Sequence, residues 1–335
     1  MPDTRASLSR RQLLGGLALA PATLAIPALL RQAPALAEQG VETIESPAAI
    51  LRHRIGEIEV IAVSDGRGPI ANELILGFEN EAAQAAATVA HKLHDPVNTV
   101  ISINAYVIRT PDRLIAVDTG AGTALGPTAG GWLESLALAG VSAEEIDTLF
   151  LTHTHIDHVG GMTASDGSRR LANAQLVTAE VEWAFAHDDG MLAAIPEAFK
   201  GMTLAARSQL APYAEGRLVL AMNRETEIAP GVTAIPLPGH TPGHMGLRIE
   251  SRGEALLIWG DLVHTPAYQF AHPDWSVAFD ADGPTAIASR RRMLDIVASQ
   301  DLMVAGMHLD FPSLGYVEHK DGAYRYLAAP PDFRI

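Results

Sequence analysis

The hexapeptide His153-Thr154-His155-Ile156-Asp157-His158 constrains this chain more than any other stretch. It directly follows Thr148-Leu149-Phe150-Leu151, an apolar run that reads as a short buried strand. Imidazole and carboxylate are borderline-to-hard donors, suited to zinc, iron, manganese or cobalt. A tight loop after a strand lets all four side chains face a common centre. They are too many, and point in too many directions, for one small ion with an open site. Two ions are the natural reading, with His153 and His155 on one and Asp157 and His158 on the other. A mononuclear site or a surface histidine cluster is the alternative.

Three later residues sit where further ligands belong. His240 lies in Pro238-Gly239-His240-Thr241-Pro242-Gly243-His244, Asp261 follows an apolar run ending at Gly260, and His308 follows Leu302–Ala305. A polar residue at the end of a buried strand is the usual way an α/β scaffold presents a site.

The surrounding pattern mixes strands and helices. Paired strands are expected at Thr99–Ile108 and Leu114–Val117 across a Pro111-Asp112 turn. Glu57–Val63 alternates as a half-buried strand does, and 67–98 reads as a loop or lid with a short helix at Glu81–Ala90. Further strands are expected at Gln175–Val177, Arg217–Leu220, Val232–Ile235, Met245–Ile249, Ala255–Ile258 and Leu302–Ala305. Helices are expected at Trp132–Ala139, Glu180–His187, Pro196–Leu210 and Pro284–Ser299. No linker interrupts this, so one layered α/β domain over 56–335 is expected, behind an N-terminal extension at 38–55.

The first 37 residues read as an export signal. Ser9-Arg10-Arg11-Gln12-Leu13-Leu14 is a twin-arginine pattern, an apolar stretch follows, and Ala35-Leu36-Ala37 is a small-residue cleavage site. Gly15, Gly16, Pro21 and Pro27 interrupt the apolar run, which argues against a stable membrane anchor. Cleavage after Ala37 removes four arginines and one aspartate, taking the net charge from −15 to −18. That acidity argues against nucleic-acid binding. The location implied is periplasmic or secreted, and the partners expected are the twin-arginine export machinery and a small-molecule substrate, with a homodimer left open. The chain has no cysteine, which excludes disulfides, thiol nucleophiles and thiolate-bound metals.

On these residues the chain resembles the metallo-β-lactamase-fold hydrolase superfamily. The pieces that carry the likeness are Val117-Asp118-Thr119-Gly120, the hexapeptide, Gly239–His244, Gly260-Asp261 and His308. Within the superfamily it is most similar to the exported methyl parathion hydrolase branch. The resemblance implies a four-layer αββα sandwich with the metals at one edge. It implies that His153, His155 and His240 hold one ion, that Asp157, His158 and His308 hold the other, and that Asp261 bridges both. Two divalent ions follow, zinc first, with manganese, cobalt or iron as alternatives. The reaction implied is attack by a hydroxide held between the ions, with Asp157 and Asp261 as the catalytic carboxylates.

Asp118 and His244 are candidates to orient the ligand imidazoles. Trp183, Phe199, His264 and Phe270 are candidate pocket residues, with Trp275 beside them. Phe185 and Met202 read as core instead. The acyl-homoserine-lactone lactonases commonly show Tyr three residues after the bridging Asp, where this chain has His264. The leading expectation is therefore an organophosphate or aryl-ester hydrolase, with an acyl-homoserine lactonase second. A mononuclear iron oxygenase of the persulfide dioxygenase kind is the alternative of another class, and a non-catalytic metal-binding protein is a further one.

Overall fold

The computed structural model describes residues 48–215, 218–220 and 224–330. The signal expected at 1–37 and residues 38–47 of the extension lie outside the described residues. The chain opens with β1 (Ile50–Ile55), β2 (Ile58–Ala71), β3 (Ile75–Leu76) and α1 (Asn80–Val89). Next come β4 (Asn98–Arg109), β5 (Leu114–Val117), α2 (Trp132–Leu138), β6 (Thr148–Phe150) and α3 (Ile156–Val159). They are followed by β7 (Gln175–Ala179), α4 (Glu180–Ala186), α5 (Asp189–Ala194), α6 (Glu197–Leu210) and β8 (Leu218–Leu220). Then come β9 (Thr226–Ala229), β10 (Val232–Pro236), β11 (Met245–Ser251), β12 (Glu254–Ile258) and β13 (Ser276–Val277). The last elements are α7 (Gly283–Gln300), β14 (Met303–Ala305), β15 (Leu314–Lys320) and β16 (Ala323–Ala328).

Two seven-stranded sheets lie at the centre, in the orders β1-β2-β4-β5-β6-β7-β8 and β16-β15-β14-β12-β11-β10-β9. Side chains alternate across a strand, so a strand buried on both faces needs apolar residues at every position. In β2 and β4, Val60, Ala62 and Ile108 point to the second sheet and meet Leu247, Ile249 and Ile258. Their neighbours Ile61, Val63 and Val107 point the other way, onto Trp132 and Leu136 of α2 and Leu210 of α6. On the far side, Leu257, Val304 and Val317 pack against Met293, Leu294 and Val297 of α7. Helix, sheet, sheet, helix is the expected αββα sandwich. Among the described residues no helix is long and apolar enough to cross a membrane.

Several expectations need correction. β2 is buried on both faces and runs on to Ala71, through the start of the expected loop. Ile50–Ile55, assigned to the extension, is strand β1, paired antiparallel with β2. β9, β15 and β16 were also missed. β1, β9 and β16 are edge strands of the two sheets, and β16 has no fully buried position. Edge strands carry polar residues and lack the apolar runs that mark central ones.

Candidate metal centre

All the ligand candidates leave the ends of strands at one edge of the sandwich. The hexapeptide follows β6, His240 follows β10, Asp261 follows β12, and His308 follows β14. Asp118 stands directly after β5. The edge therefore gathers four ligand candidates from the first sheet and three from the second.

They fall into two groups, each able to hold an ion: His153 with His155 and His240, and Asp157 with His158, Asp261 and His308; His264 stands close enough to His240 and Asp261 to form a third, overlapping group. In the first, Nδ1 of His155 lies 2.9 Å and Nε2 of His153 lies 3.2 Å from Nε2 of His240. In the second, Asp261 Oδ2 lies 3.2 Å from His158 Nε2 and 3.1 Å from His308 Nε2. The same oxygen is 3.5 Å from His240 Nε2 and 3.7 Å from His153 Nε2, so it stands between the groups.

The hydrogen bonds behind the ligands decide which ring nitrogens carry protons. His240 Nδ1 donates to Asp280 (2.7 Å), His158 Nδ1 to Asp118 (2.8 Å), and His308 Nδ1 to the Ser102 carbonyl (2.8 Å). The Thr152 hydroxyl donates to Asp118 (2.7 Å) and so takes the Nδ1 proton of His153 at 3.1 Å. The Nε2 atoms of His153 and His240 are then bare lone pairs facing one another, an arrangement that needs a cation between them. Burial holds both imidazoles well below the usual histidine range, which keeps them neutral as ligands must be. In the second group, burial would lower His158, but Asp261, Asp157 and Asp118 outweigh it and raise it well above that range. Positive charge is favoured there. Asp261 Oδ1 is buried without a protein partner, and a bound cation would satisfy it. The residues present fit divalent metal cofactors.

Two backbone features make this geometry reachable. Asp118 has φ of 59°, a conformation uncommon outside glycine, and its carboxylate holds Thr152 N at 2.8 Å as well as the groups above. Gly260 has φ of 60°, and a Cβ there would sit 2.3 Å from His244 Nε2. His244 donates from Nδ1 to the Leu237 carbonyl (2.8 Å) and accepts the Asp261 amide on Nε2 (2.9 Å). It thus holds the Asp261 backbone, and not an imidazole.

The pocket expectations fare unevenly. His264 is buried against the centre, with Nε2 3.3 Å from Asp261 Oδ2, and neither ring nitrogen has a hydrogen-bond partner. Phe270 is not at the centre: it lies under the second sheet, stacked on Tyr326 and tilted against Trp259. Trp275 is buried with Tyr268 and Phe78 in a separate cluster. Trp183 stacks on His187 and packs on the outer core of the first sheet, and Phe199 is half-buried on α6. Met202 is 45% exposed and belongs to neither core nor pocket, and Phe185 is half-buried. The aromatic ring against the ligands is Phe279, 5.4–6.4 Å from the rings of His264, His240 and His155. Sequence reading missed Phe279, the buried Glu182 and Asp280, whose carboxyl is lowered to about 2 because the His240 contact outweighs burial. Each stands far in sequence from the residue it serves, and only the distance relation identifies it.

Comparison with known proteins gives a consistent picture. The family model described as the metallo-beta-lactamase superfamily matches residues 98–308, well over half of the chain. The N-acyl homoserine lactonase AiiB of Agrobacterium fabrum is 29% identical over 192 residues, 51% of this chain. The matched stretch spans 65% of that relative's length. Among solved structures, the hydrolase AbOPH of the β-lactamase superfamily superposes with a TM-score of 0.77 at 26% identity, covering 85% of this chain and 99% of its own. AidC, a dizinc quorum-quenching lactonase solved with a product, gives a TM-score of 0.77 at 26% identity, covering 84% and 98%.

Proposed function

The chain belongs to the metallo-β-lactamase superfamily and is a metal-dependent hydrolase; from that premise we propose that it is a dinuclear enzyme opening lactones with an apolar acyl chain. The observation that carries the dinuclear reading is the position of Asp261 Oδ2, within 3.7 Å of ligand nitrogens in both groups. Lactones come first because both AiiB and AidC are lactonases. A phosphotriester or aryl ester is the second reading, favoured by the equal likeness to AbOPH and by the parathion-hydrolase-like motifs.

When bound, two divalent ions supply Lewis acidity and a water nucleophile active at neutral pH, zinc being the first choice. The chain's own residues do the rest. Asp261 sets the separation of the two groups. Asp118, Asp280 and the Ser102 carbonyl keep the Nδ1 protons, so that the Nε2 lone pairs of His158, His240 and His308 face inward. His264 offers an unpaired ring nitrogen to an oxygen of the substrate, and Phe279 walls the mouth. Asp157, at 20% side-chain exposure, is the open carboxylate of the second group: its Oδ2 faces Nε2 of His158 and His308 (3.7 and 3.5 Å) as a ligand would, which leaves Oδ1 to accept a proton from a nucleophilic water.

The export reading is proposed alongside: the twin-arginine signal directs a folded, metal-loaded protein to the periplasm or beyond, with cleavage after Ala37. N-terminal sequencing of the exported protein tests that. The function is tested by metal analysis with a rate comparison on a long-chain acyl-homoserine lactone, an aryl ester and an aryl phosphotriester. About two ions per chain and fastest lactone opening are expected. A single iron with oxygen uptake on a persulfide would overturn the hydrolase mechanism proposed here.

A further inference from the structure

Glu182 lies on α4 with no exposed surface, and it ligates nothing. One carboxylate oxygen accepts the Thr154 amide (2.9 Å) and the Thr154 hydroxyl (2.8 Å). The other accepts the Gly243 amide at 3.1 Å. Thr154 is the residue between His153 and His155. Gly243 belongs to the turn that starts at His240. A Cβ at Gly243 would lie 2.5 Å from the Glu182 backbone and side chain, so glycine at 243 is what lets the two segments meet. All three partners are donors, as carboxylate oxygens need, and with the Thr241 hydroxyl they offset part of the upward push that burial gives this carboxyl. Among the described residues no lysine or arginine pairs with it.

His153 and His155 come from the loop after β6 in the first sheet, and His240 comes from the loop after β10 in the second. One backbone bond joins those loops, from the Met245 amide to the Thr152 carbonyl (2.8 Å), at the base of each loop; beyond it, on the stretch that carries His155 and His240, the loops meet at Glu182. We propose that Glu182 is a positioning residue, a brace that ties the Thr154 and Gly243 backbones together and so sets the three imidazoles of the first group at ion-binding distance. It acts first on that half-site, because Thr154 stands between two of its imidazoles; its link to the other half is indirect, through His244 beside Gly243, which accepts the Asp261 amide. The inference rests on the reading that the three imidazoles hold an ion.

The test is zinc competition against a chromophoric chelator, on the full exported chain. Glu182→Gln keeps the shape but turns one acceptor into an NH2 that faces a donor. The variant should lose one of its two zinc ions at about 10–100-fold lower chelator concentration than the parent, and the other ion at a distinctly smaller shift. Thr154→Val removes only the hydroxyl arm and should give about a 2–10-fold shift in the same ion. It carries the test if Glu182→Gln does not fold. His240→Ala removes the same half-site, so adding Glu182→Gln to it should release no further ion, whereas a general packing role would add its own loss. Parent-like release from both variants, or equal loss of both ions, overturns the brace. A parent protein that takes up no zinc overturns the metal reading itself, which is a different result from a two-zinc parent with indifferent variants.

Discussion

The two halves of the metal cluster are supported from different depths of the fold. The half built on Asp157, His158, Asp261 and His308 leans on the interior. Asp118 is fully buried, Ser102 belongs to β4, and His244 fixes the Asp261 amide from the second sheet. The half built on His153, His155 and His240 leans partly on the periphery. Its Asp280 follows β13, which pairs with the two-residue strand β3 in a small sheet apart from the two central ones. The remaining Asp280 oxygen accepts the Val277 amide at 3.1 Å, so this carboxylate is anchored to β13 itself. The lesson is that one ligand set can be held half by the two central sheets and half by a small separate sheet, and the halves need not have equal affinity.

The widest test of this comparison removes what the halves share. Asp261→Ala should cost at least about 10³-fold in kcat/KM and leave fewer than two ions per chain by elemental analysis. Near-parent turnover with both ions retained would dissolve the division into two groups around one carboxylate.

The next test concerns the deep side. Asp65 is 1% exposed and accepts the amides of Ala121 (2.9 Å), Gly130 and Trp132 (both 3.1 Å), which anchors the loop after Asp118. Burial outweighs those bonds and raises its carboxyl to about 6. The folded state then holds this proton more tightly than the unfolded one, whose value is 3.8. Stability from this group is therefore present below pH 4 and lost as pH rises to 6, by roughly 3 kcal/mol at most. Urea unfolding of the metal-free protein against Asp65→Asn, at pH 4 and pH 6.5, isolates it. The gap between the two proteins should change by that order, and a constant gap would show that Asp65 titrates normally.

Asp118→Asn and Asp280→Asn then separate the halves directly. Each should weaken zinc binding about 10–100-fold. Asp118→Asn should act on both ions, because its carboxylate reaches His158 directly and His153 through Thr152. Asp280→Asn should act on one ion only. Two variants that both release a single ion, or both release two, would erase the contrast.

How much of this was legible follows the same division. The hexapeptide could be read because four ligands stand on one loop after one apolar run, where local sequence decides geometry. His240, Asp261 and His308 each follow a short buried strand, which placed them as candidates but could not bring them together; the register of β10, β12 and β14 does that. Most central strands were visible for their continuous apolar residues; β15 was not, because its second half is polar and exposed, and the edge strands β1, β9 and β16 were not, because solvent patterns them. Glu182, Phe279 and Asp280 left no signal, since an isolated acid or aromatic near a helix or turn has an ordinary surface or core role far more often. Phe270 misled for the opposite reason: nine residues from Asp261 in sequence, it faces the core beneath the sheet.

The smallest expected effect lies at the mouth. Phe279 touches His155 and His240 of the peripheral half-site and His264 beside Asp261, yet its neighbour Asp280, not the ring itself, supports a ligand. Shortening the ring should leave zinc content at the parent value and raise KM for a long-chain lactone. An aromatic contact of about 0.5–1.5 kcal/mol corresponds to a change of roughly 2–10-fold. A short-chain lactone that does not reach the ring should show less of it. Loss of an ion in Phe279→Ala would instead place this aromatic ring among the supports of the peripheral half, and would make that half more dependent on the β3–β13 sheet than the hydrogen bonds alone require.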